Sequence, residues 1–285
     1  MNQTSSTFLI SLLVMAVGGC EAKNTRGSGQ ILTTPDGVII DNYVLDGNKL
    51  RVNQEEFGGV GQNTTKERSK RYISIQHEMN GDQPVKIRLR NRVGGLAISL
   101  DESLDDVLIE SVVSIQGPAD QSKNDRLAQV KLVVTPASDG WLEVTSRWPG
   151  GESTGNEECV ISVTVPRLDS IDLETTNGSI TAGSCSGDVT AKTMNGNITA
   201  MNPGGDIDLQ CSNGSINLTL PLNWSGTVKA RSDNGRINTQ SSSSAKINTD
   251  SYQDGRTDLQ VGTTTTDPRT ATLRTKNGSI DIQVG

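Results

Sequence analysis

The sequence predicts an all-β chain whose second half winds into a parallel β-solenoid of about 18–21 residues per rung, preceded by a less regular β-rich half. Three observations carry this expectation. Asn-Gly pairs recur at Asn177-Gly178, Asn195-Gly196, Asn213-Gly214, Asn234-Gly235 and Asn277-Gly278, at intervals of 18, 18, 21 and 43 residues, the last close to two repeat lengths. An isoleucine follows two residues after each glycine, at Ile180, Ile198, Ile216, Ile237 and Ile280. Aromatic residues make up only 3% of the chain while glycine reaches 30 of 285 residues, so the core must pack small and branched side chains in a regular lattice. A fixed period of this size marks stacked units, none of which buries its apolar face alone.

Aligning the repeats on Asn-Gly justifies each strand. Six residues before each asparagine stand Ile171, Val189, Ile207, Val228 and Ala271, and four before stand Leu173, Ala191, Leu209, Ala230 and Leu273. Between them lie polar columns, Asp172, Thr190, Asp208, Lys229 and Thr272, then Glu174, Lys192, Gln210, Arg231 and Arg274. This is period-two alternation, a strand with one face buried. It resumes after the glycine with the isoleucine column, so each unit reads strand, Asn-Gly corner, strand. A second turn at Gly187-Asp188, at Pro203-Gly204-Gly205-Asp206 and at Gly226 closes the rung.

Asn-Gly is also a strong hairpin signal, because a type I′ turn needs φ > 0 at both positions. Packing favours the coil: a flat meander leaves one apolar face uncovered and two edges open, whereas rungs bury their own apolar columns between two sheets. A propeller blade needs a period nearer 40 residues. From Ile171 to Gly285 the period allows about six rungs, a rod on the order of 30 Å tall. Residues Ser241 to Ser251 and Thr263 to Thr270 interrupt it and are expected as longer loops on degenerate terminal rungs.

The first half, Ile31 to Arg167, shows strand patterns at 85–89, 107–109, 130–134 and 159–165, with turns at Asp36-Gly37, Asp46-Gly47, Asn80-Gly81 and Asp139-Gly140. No window carries helical periodicity. It is expected to hold early rungs, or a small β-subdomain, merging into the repeat. The dense basic cluster Lys66, Arg68, Lys70 and Arg71 reads as a solvated loop. A net charge of −7 argues against nucleic acid as a partner.

At the N-terminus, Phe8 to Val17 is an apolar run of signal-peptide length, too short to span a bilayer. It ends Val17-Gly18-Gly19-Cys20, which resembles a bacterial lipoprotein box with Cys20 as the lipid acceptor, although Met1 to Thr7 holds no lysine or arginine. An ordinary secretory peptide cut near Gly19 is the alternative. The chain is thus expected to divide into a signal segment (1–20), a polar tether (21–30), an irregular β region (31–167) and regular repeats (168–285).

The run Ile161-Ser162-Val163-Thr164-Val165-Pro166, then Ile171-Asp172-Leu173-Glu174-Thr175-Thr176-Asn177-Gly178-Ser179-Ile180, repeated down to Arg274-Thr275-Lys276-Asn277-Gly278-Ser279-Ile280-Asp281-Ile282, resembles the bacterial DUF4097 family, described as "putative adhesins". The resemblance covers about residues 85 to 285. It implies a right-handed β-helix, an envelope location and a binding or scaffolding role, and it brings no catalytic residue.

Chemistry is sparse. His77 is the only histidine, which excludes nucleophilic triads, and no Cys/His spacing suits a metal. No cofactor is expected and the chain reads as a non-enzyme. Cys159 and Cys185 could pair, while Cys211 falls in a column of Thr175, Thr193, Ser232 and Thr275 and is expected as a small buried thiol. Asp188 and Asp206 occupy matched positions, where stacked carboxylates could take Ca²⁺ or, more simply, bond the backbone of the second turn. The Asn column is expected to adopt αL and hydrogen-bond along the stack. Trp141, Trp148 and Trp224 are candidate sugar platforms, Trp148 first because Trp148-Pro149-Gly150-Gly151 reads as an exposed turn, with packing against a sheet as the simpler role. The expected function is a lipid-anchored envelope binding or scaffolding protein with a glycan or envelope protein as partner. An envelope-stress or signalling component and a polysaccharide-acting enzyme are the alternatives.

Overall fold

Alternating apolar and polar residues produce strand nearly everywhere the sequence shows them. The chain is described here by a computed structural model covering residues 30–34, 37–41 and 68–285, apart from 80–82, 119, 138, 152, 243–246, 254–255 and 263–267. The lipoprotein box with Cys20, Lys66, Asp46-Gly47 and Asn80-Gly81 lie outside these residues. A hairpin of β1 (Gln30–Thr34) and β2 (Gly37–Asp41) precedes β3 (Arg68–His77), β4 (Val85–Arg90), β5 (Leu96–Leu100) and β6 (Val107–Gln116). Helix α1 (Gln121–Ala128) leads to β7 (Lys131–Pro136), β8 (Trp141–Arg147) and β9 (Glu157–Val165).

The repeat then gives β10 (Leu168–Asn177) with β11 (Ile180–Ala182), β12 (Val189–Asn195) with β13 (Ile198–Met201), β14 (Ile207–Asn213) with β15 (Ile216–Leu220), and β16 (Gly226–Asn234) with β17 (Ile237–Ser241). The hairpin of β18 (Ile247–Gln253) and β19 (Arg256–Val261) follows, and β20 (Arg269–Asn277) with β21 (Ile280–Val284) comes last.

These strands form two mixed sheets. The first runs β1-β2-β3-β6-β9-β5-β11-β13-β15-β21-β17, the second β18-β19-β16-β20-β14-β12-β10-β4-β8-β7. Each Asn-Gly rung sends its longer strand to the second sheet and its shorter one to the first. Parallel pairing keeps equivalent residues side by side, as in Ile171↔Val189↔Ile207 and Ile180↔Ile198↔Ile216. The apolar columns face inward between the sheets: Leu173, Leu209, Ile198, Ile216 and Ile280 are all fully buried. Burying each such side chain contributes about 1.5–3 kcal/mol. The architecture is all-β and solenoid-like.

Spatial order departs from chain order at both ends. Strands β20 and β21 insert between β14–β15 and β16–β17, so the last repeat in the sequence is an interior rung. The 43-residue interval is therefore not two repeat lengths. It holds β18 and β19, an antiparallel hairpin laid on β16, where loops were expected over Ser241 to Ser251. The 21-residue interval has a matching cause. The chain leaving Leu220 must step over the inserted rung, and three extra residues at about 3.3 Å each cover the additional strand spacing of about 4.8 Å. Trp224 fills this crossing, fully buried, its indole N–H donating to the Gly205 carbonyl at 3.2 Å.

At the other end, β4 and β5 lie between β10–β11 and the later strands β8 and β9, pairing in parallel on both sides. Antiparallel β6 and β3 then extend the first sheet and β7 closes the second.

Two features of the first half escaped the sequence reading. Arg68, Lys70 and Arg71 belong to β3 and not to a loop; Arg71 donates to the carbonyls of Leu127, Ala128 and Val130 at 2.9–3.0 Å, covering the end of α1. Helix α1 itself buries only Leu127, too little to print a period, and is started by Asp120, whose carboxylate accepts from the Lys123 N–H at 2.8 Å.

Arg126 of α1 forms an ion pair with the buried Glu157, which also accepts from the Thr154 N–H at 2.7 Å. Burial pushes the Glu157 carboxyl up, but the Arg126 guanidinium and the Thr154 N–H outweigh it and hold it below the ordinary glutamate range. Its stabilising contribution is thus present above that range and lost as pH falls through the lowered folded value. Glu157→Gln is expected to cost about 2 kcal/mol at neutral pH. In melting curves the gap to the unsubstituted chain should narrow below about pH 4, and a gap independent of pH would contradict this account.

Candidate functional site

Three surfaces could carry function: the Asn-Gly corners, the second turns and the outer face of the second sheet. At the corners the asparagine amides form one ladder. Asn195 donates to Asn177 at 2.7 Å, Asn213 to Asn195 at 2.8 Å, Asn277 to Asn213 at 2.7 Å and Asn234 to Asn277 at 2.9 Å. The expected stacking is present, but the αL conformation is not. Among the described residues Asn202 is the one non-glycine with positive φ. The asparagines are strand ends, and the parallel ladder continues through the corner, as in Gly196 N–H to the Asn213 carbonyl at 3.0 Å.

The glycines are required by proximity, and Gly196, Gly214 and Gly278 by φ as well. Gly196 and Gly278 have φ +152° and +153°, and a Cβ there would lie 2.1 Å and 2.0 Å from the carbonyl oxygen of Gly178 and of Gly214. Those carbonyls also accept from inside the coil. Thr175 donates to Gly94, Thr193 to Gly178, Cys211 to Gly196, Thr275 to Gly214 and Ser232 to Gly278, at 2.8–3.1 Å. Cys211 is the small buried thiol its column calls for. The amides bond one another along the ladder, a structural role for Asn177, Asn195, Asn213, Asn234 and Asn277 with their glycines.

At the second turns Asp188 accepts from the Asp206 N–H at 2.8 Å and Asp206 from the Thr270 N–H at 2.7 Å, so each carboxylate bonds the backbone of the next rung. Cys159, Cys185 and Cys211 are free and buried; the pair Cys159–Cys185 is not made, because β5 separates β9 from β11. Burial pushes all three thiols up, Cys185 to about 11. Trp148 and Trp224 are both buried, in line with the simpler packing role, and neither is a sugar platform. Only Trp141 reaches the surface, covered by the Arg88 guanidinium at 4.8 Å. His77 ends β3, opposite Val107.

The outer face of the second sheet divides by charge. At its N-terminal end Arg88 and Arg90 sit among carboxylates: Arg88 pairs with Glu143 at 2.6 Å and Asp172 at 3.1 Å, and Arg90 with Asp172 at 2.5 Å. Burial pushes the Asp172 carboxyl up, but Arg90 and Arg88 outweigh it and hold it below the usual carboxylate range. This end is internally neutralised.

The C-terminal end is not. The inserted strand β20 places Arg274 directly opposite Arg231, and antiparallel β19 places Arg256 opposite Arg231 on the other side. Three arginines thus occupy one column on three adjacent strands, with Gln210 and Lys192 continuing it. Like charges directly opposed across strands are destabilising. Arg231 bonds Asp233 at 2.8 Å and Lys192 stands 3.8 Å from Asp208. Among the described residues Arg274, Arg256, Lys229 and Lys276 have no ion pair. The sequence pattern places Arg231 and Arg274 in one column but not side by side, because 43 residues and an expected extra rung separate them, and it leaves out Arg256, which β19 brings in.

Residues 155–285, less than half of the chain, match the family described as a domain of unknown function, DUF7330, and not DUF4097. No curated protein matches the chain. Among solved structures, "a putative cell adhesion protein" from Clostridium sporogenes is 14% identical, covering 76% of this chain and 100% of its own with a TM-score of 0.50. That likeness concerns the fold. A "putative adhesin" from Bacteroides fragilis (13% identity, 79% of this chain, 100% of its own, TM-score 0.28) and one from Parabacteroides merdae (12%, 62%, 70%, 0.25) superpose too loosely to carry an argument.

Proposed function

We propose that this chain is a non-catalytic envelope protein of right-handed β-helical form, anchored through a lipid on Cys20, that binds or scaffolds through the exposed face of its repeat. The observation that carries the reading is the outer face of the second sheet, where the inserted rung sets exposed Arg274 beside Arg231, with Arg256 on the other side of Arg231. The non-catalytic part is supported by what the candidate groups do: Asp188 and Asp206 bond the backbone, and the asparagine amides bond one another. The resemblance of Val17 to Cys20 to a lipoprotein box supports the anchor, and the C. sporogenes fold likeness is in keeping with adhesion.

Capture experiments with the full chain against glycan arrays and envelope extracts test the role, specific retention being expected and capture no greater than from blank beads counting against it. For the anchor, Cys20→Ser should move the protein from the membrane to the soluble fraction; continued membrane partitioning would remove Cys20 from the account.

A further inference from the structure

The geometry points to a ligand class for this face: the arginine column formed by Arg274, Arg231 and Arg256 binds a linear acidic polysaccharide running along the stack of rungs. This deepens the binding role proposed above and rests on it. The column lies in a shallow groove of about 960 Å³ that crosses the second sheet, lined by six basic and three acidic side chains, on a chain whose net charge is −7. The positive surface is therefore local and against the average.

Its spacing is set by the fold. Cations on neighbouring strands repeat at about 4.8 Å, close to the rise of one sugar ring in an extended uronic-acid chain. A polymer lying across the strands meets Arg256, Arg231 and Arg274 on three successive strands, then Gln210 and Lys192. Arg274, Arg231 and Arg256 are exposed and in direct register, an arrangement that costs stability in the free protein. An anion lying over the column relieves that repulsion, which gives the polymer a favourable contribution that a neutral one lacks. Between the cations, Gln210, Ser212 and Thr272 offer amide and hydroxyl groups matched to sugar hydroxyls. The groove lining contains no aromatic side chain, which disfavours single-stranded nucleic acid, whose bases call for stacking platforms. Met194 is the one exposed large apolar residue in the lining, too little for insertion into a lipid surface.

The test is binding of polygalacturonate to the full chain by biolayer interferometry, with dextran, poly(dT) and phosphatidylglycerol vesicles as comparison probes. Polygalacturonate is expected to bind, to weaken by about tenfold or more between about 50 mM and 500 mM NaCl, and to weaken by a similar factor in R231Q/R274Q. R231K/R274K should retain binding, and K131Q, at the far edge of the same sheet, should leave it unchanged. Removing opposed charges should leave the melting temperature of R231Q/R274Q equal or higher, which separates loss of ligand from loss of fold. If that variant melts lower, R231E/R274K, which keeps one cation and restores an opposite-charge pair, must still show weakened binding.

Equal retention of dextran, binding indifferent to R231Q/R274Q, or tighter binding of poly(dT) or of vesicles would each overturn the assignment. Should the chain capture an uncharged glycan or an envelope protein while ignoring polygalacturonate, this inference falls and the general binding role stands.

Discussion

A chain shortened to end at Pro268 is expected to lose its cooperative unfolding transition. Strands β20 and β21 bury Leu273, Ile280, Ile282 and Val284, each no more than 2% exposed. At about 1.5–3 kcal/mol per large apolar side chain, these four contribute roughly 6–12 kcal/mol, comparable with the whole stability of an ordinary domain. In a solenoid whose last repeat is also its outermost, the same deletion removes one interface and leaves the rest standing. Here it removes two interfaces, because β20 pairs with both β14 and β16 and β21 with both β15 and β17. Far-ultraviolet circular dichroism during heating provides the check. If the shortened chain melts cooperatively within a few degrees of the full one, the terminal repeat is not an interior rung.

Gly196→Ala is expected to cost on the order of 3 kcal/mol or more, through one methyl group. The new Cβ would lie 2.1 Å from the Gly178 carbonyl oxygen, at a φ of +152° that L residues rarely adopt. The obstacle is backbone, so no side chain can rotate away. The Gly178 carbonyl also accepts the Thr193 hydroxyl at 3.0 Å, so a shift that relieves the clash would strain that bond as well. Gly155→Ala is the matched comparison: nothing lies within 4 Å of its Cβ position, and the change should be neutral or slightly stabilising. Denaturant midpoints of the two variants decide the matter, and similar midpoints would refute the argument from close approach.

Much of the repeat was legible because its determinants are local. Ile171, Leu173 and Ile180 alternate with Asp172, Glu174 and Thr181 whatever lies beyond them, and the asparagine ladder follows once equal strands pair in parallel. The helix was illegible because only Leu127 faces inward, and Trp148 was left between two roles because its Pro-Gly-Gly neighbours describe a turn without saying what packs against it. The likeness to a named family was less informative than the columns: the match is to DUF7330 over 155–285, and neither name carries a ligand.

The sequence by itself determined the rung: two strands, a glycine corner and an isoleucine column, since φ preference and period-two burial act within a few residues. Only the tertiary structure decided the order of the rungs. Four of the five Asn-Gly units present the same apolar columns, so pattern alone does not order them, although β17, with Thr239 in the column of Ala182, Ala200, Leu218 and Ile282, is largely exposed and ends the first sheet. Long-range closure, with Trp224 in the crossing and the β18–β19 hairpin on the outer edge, selected β20–β21 for the interior. That choice set Arg274 beside Arg231 and created the cationic column.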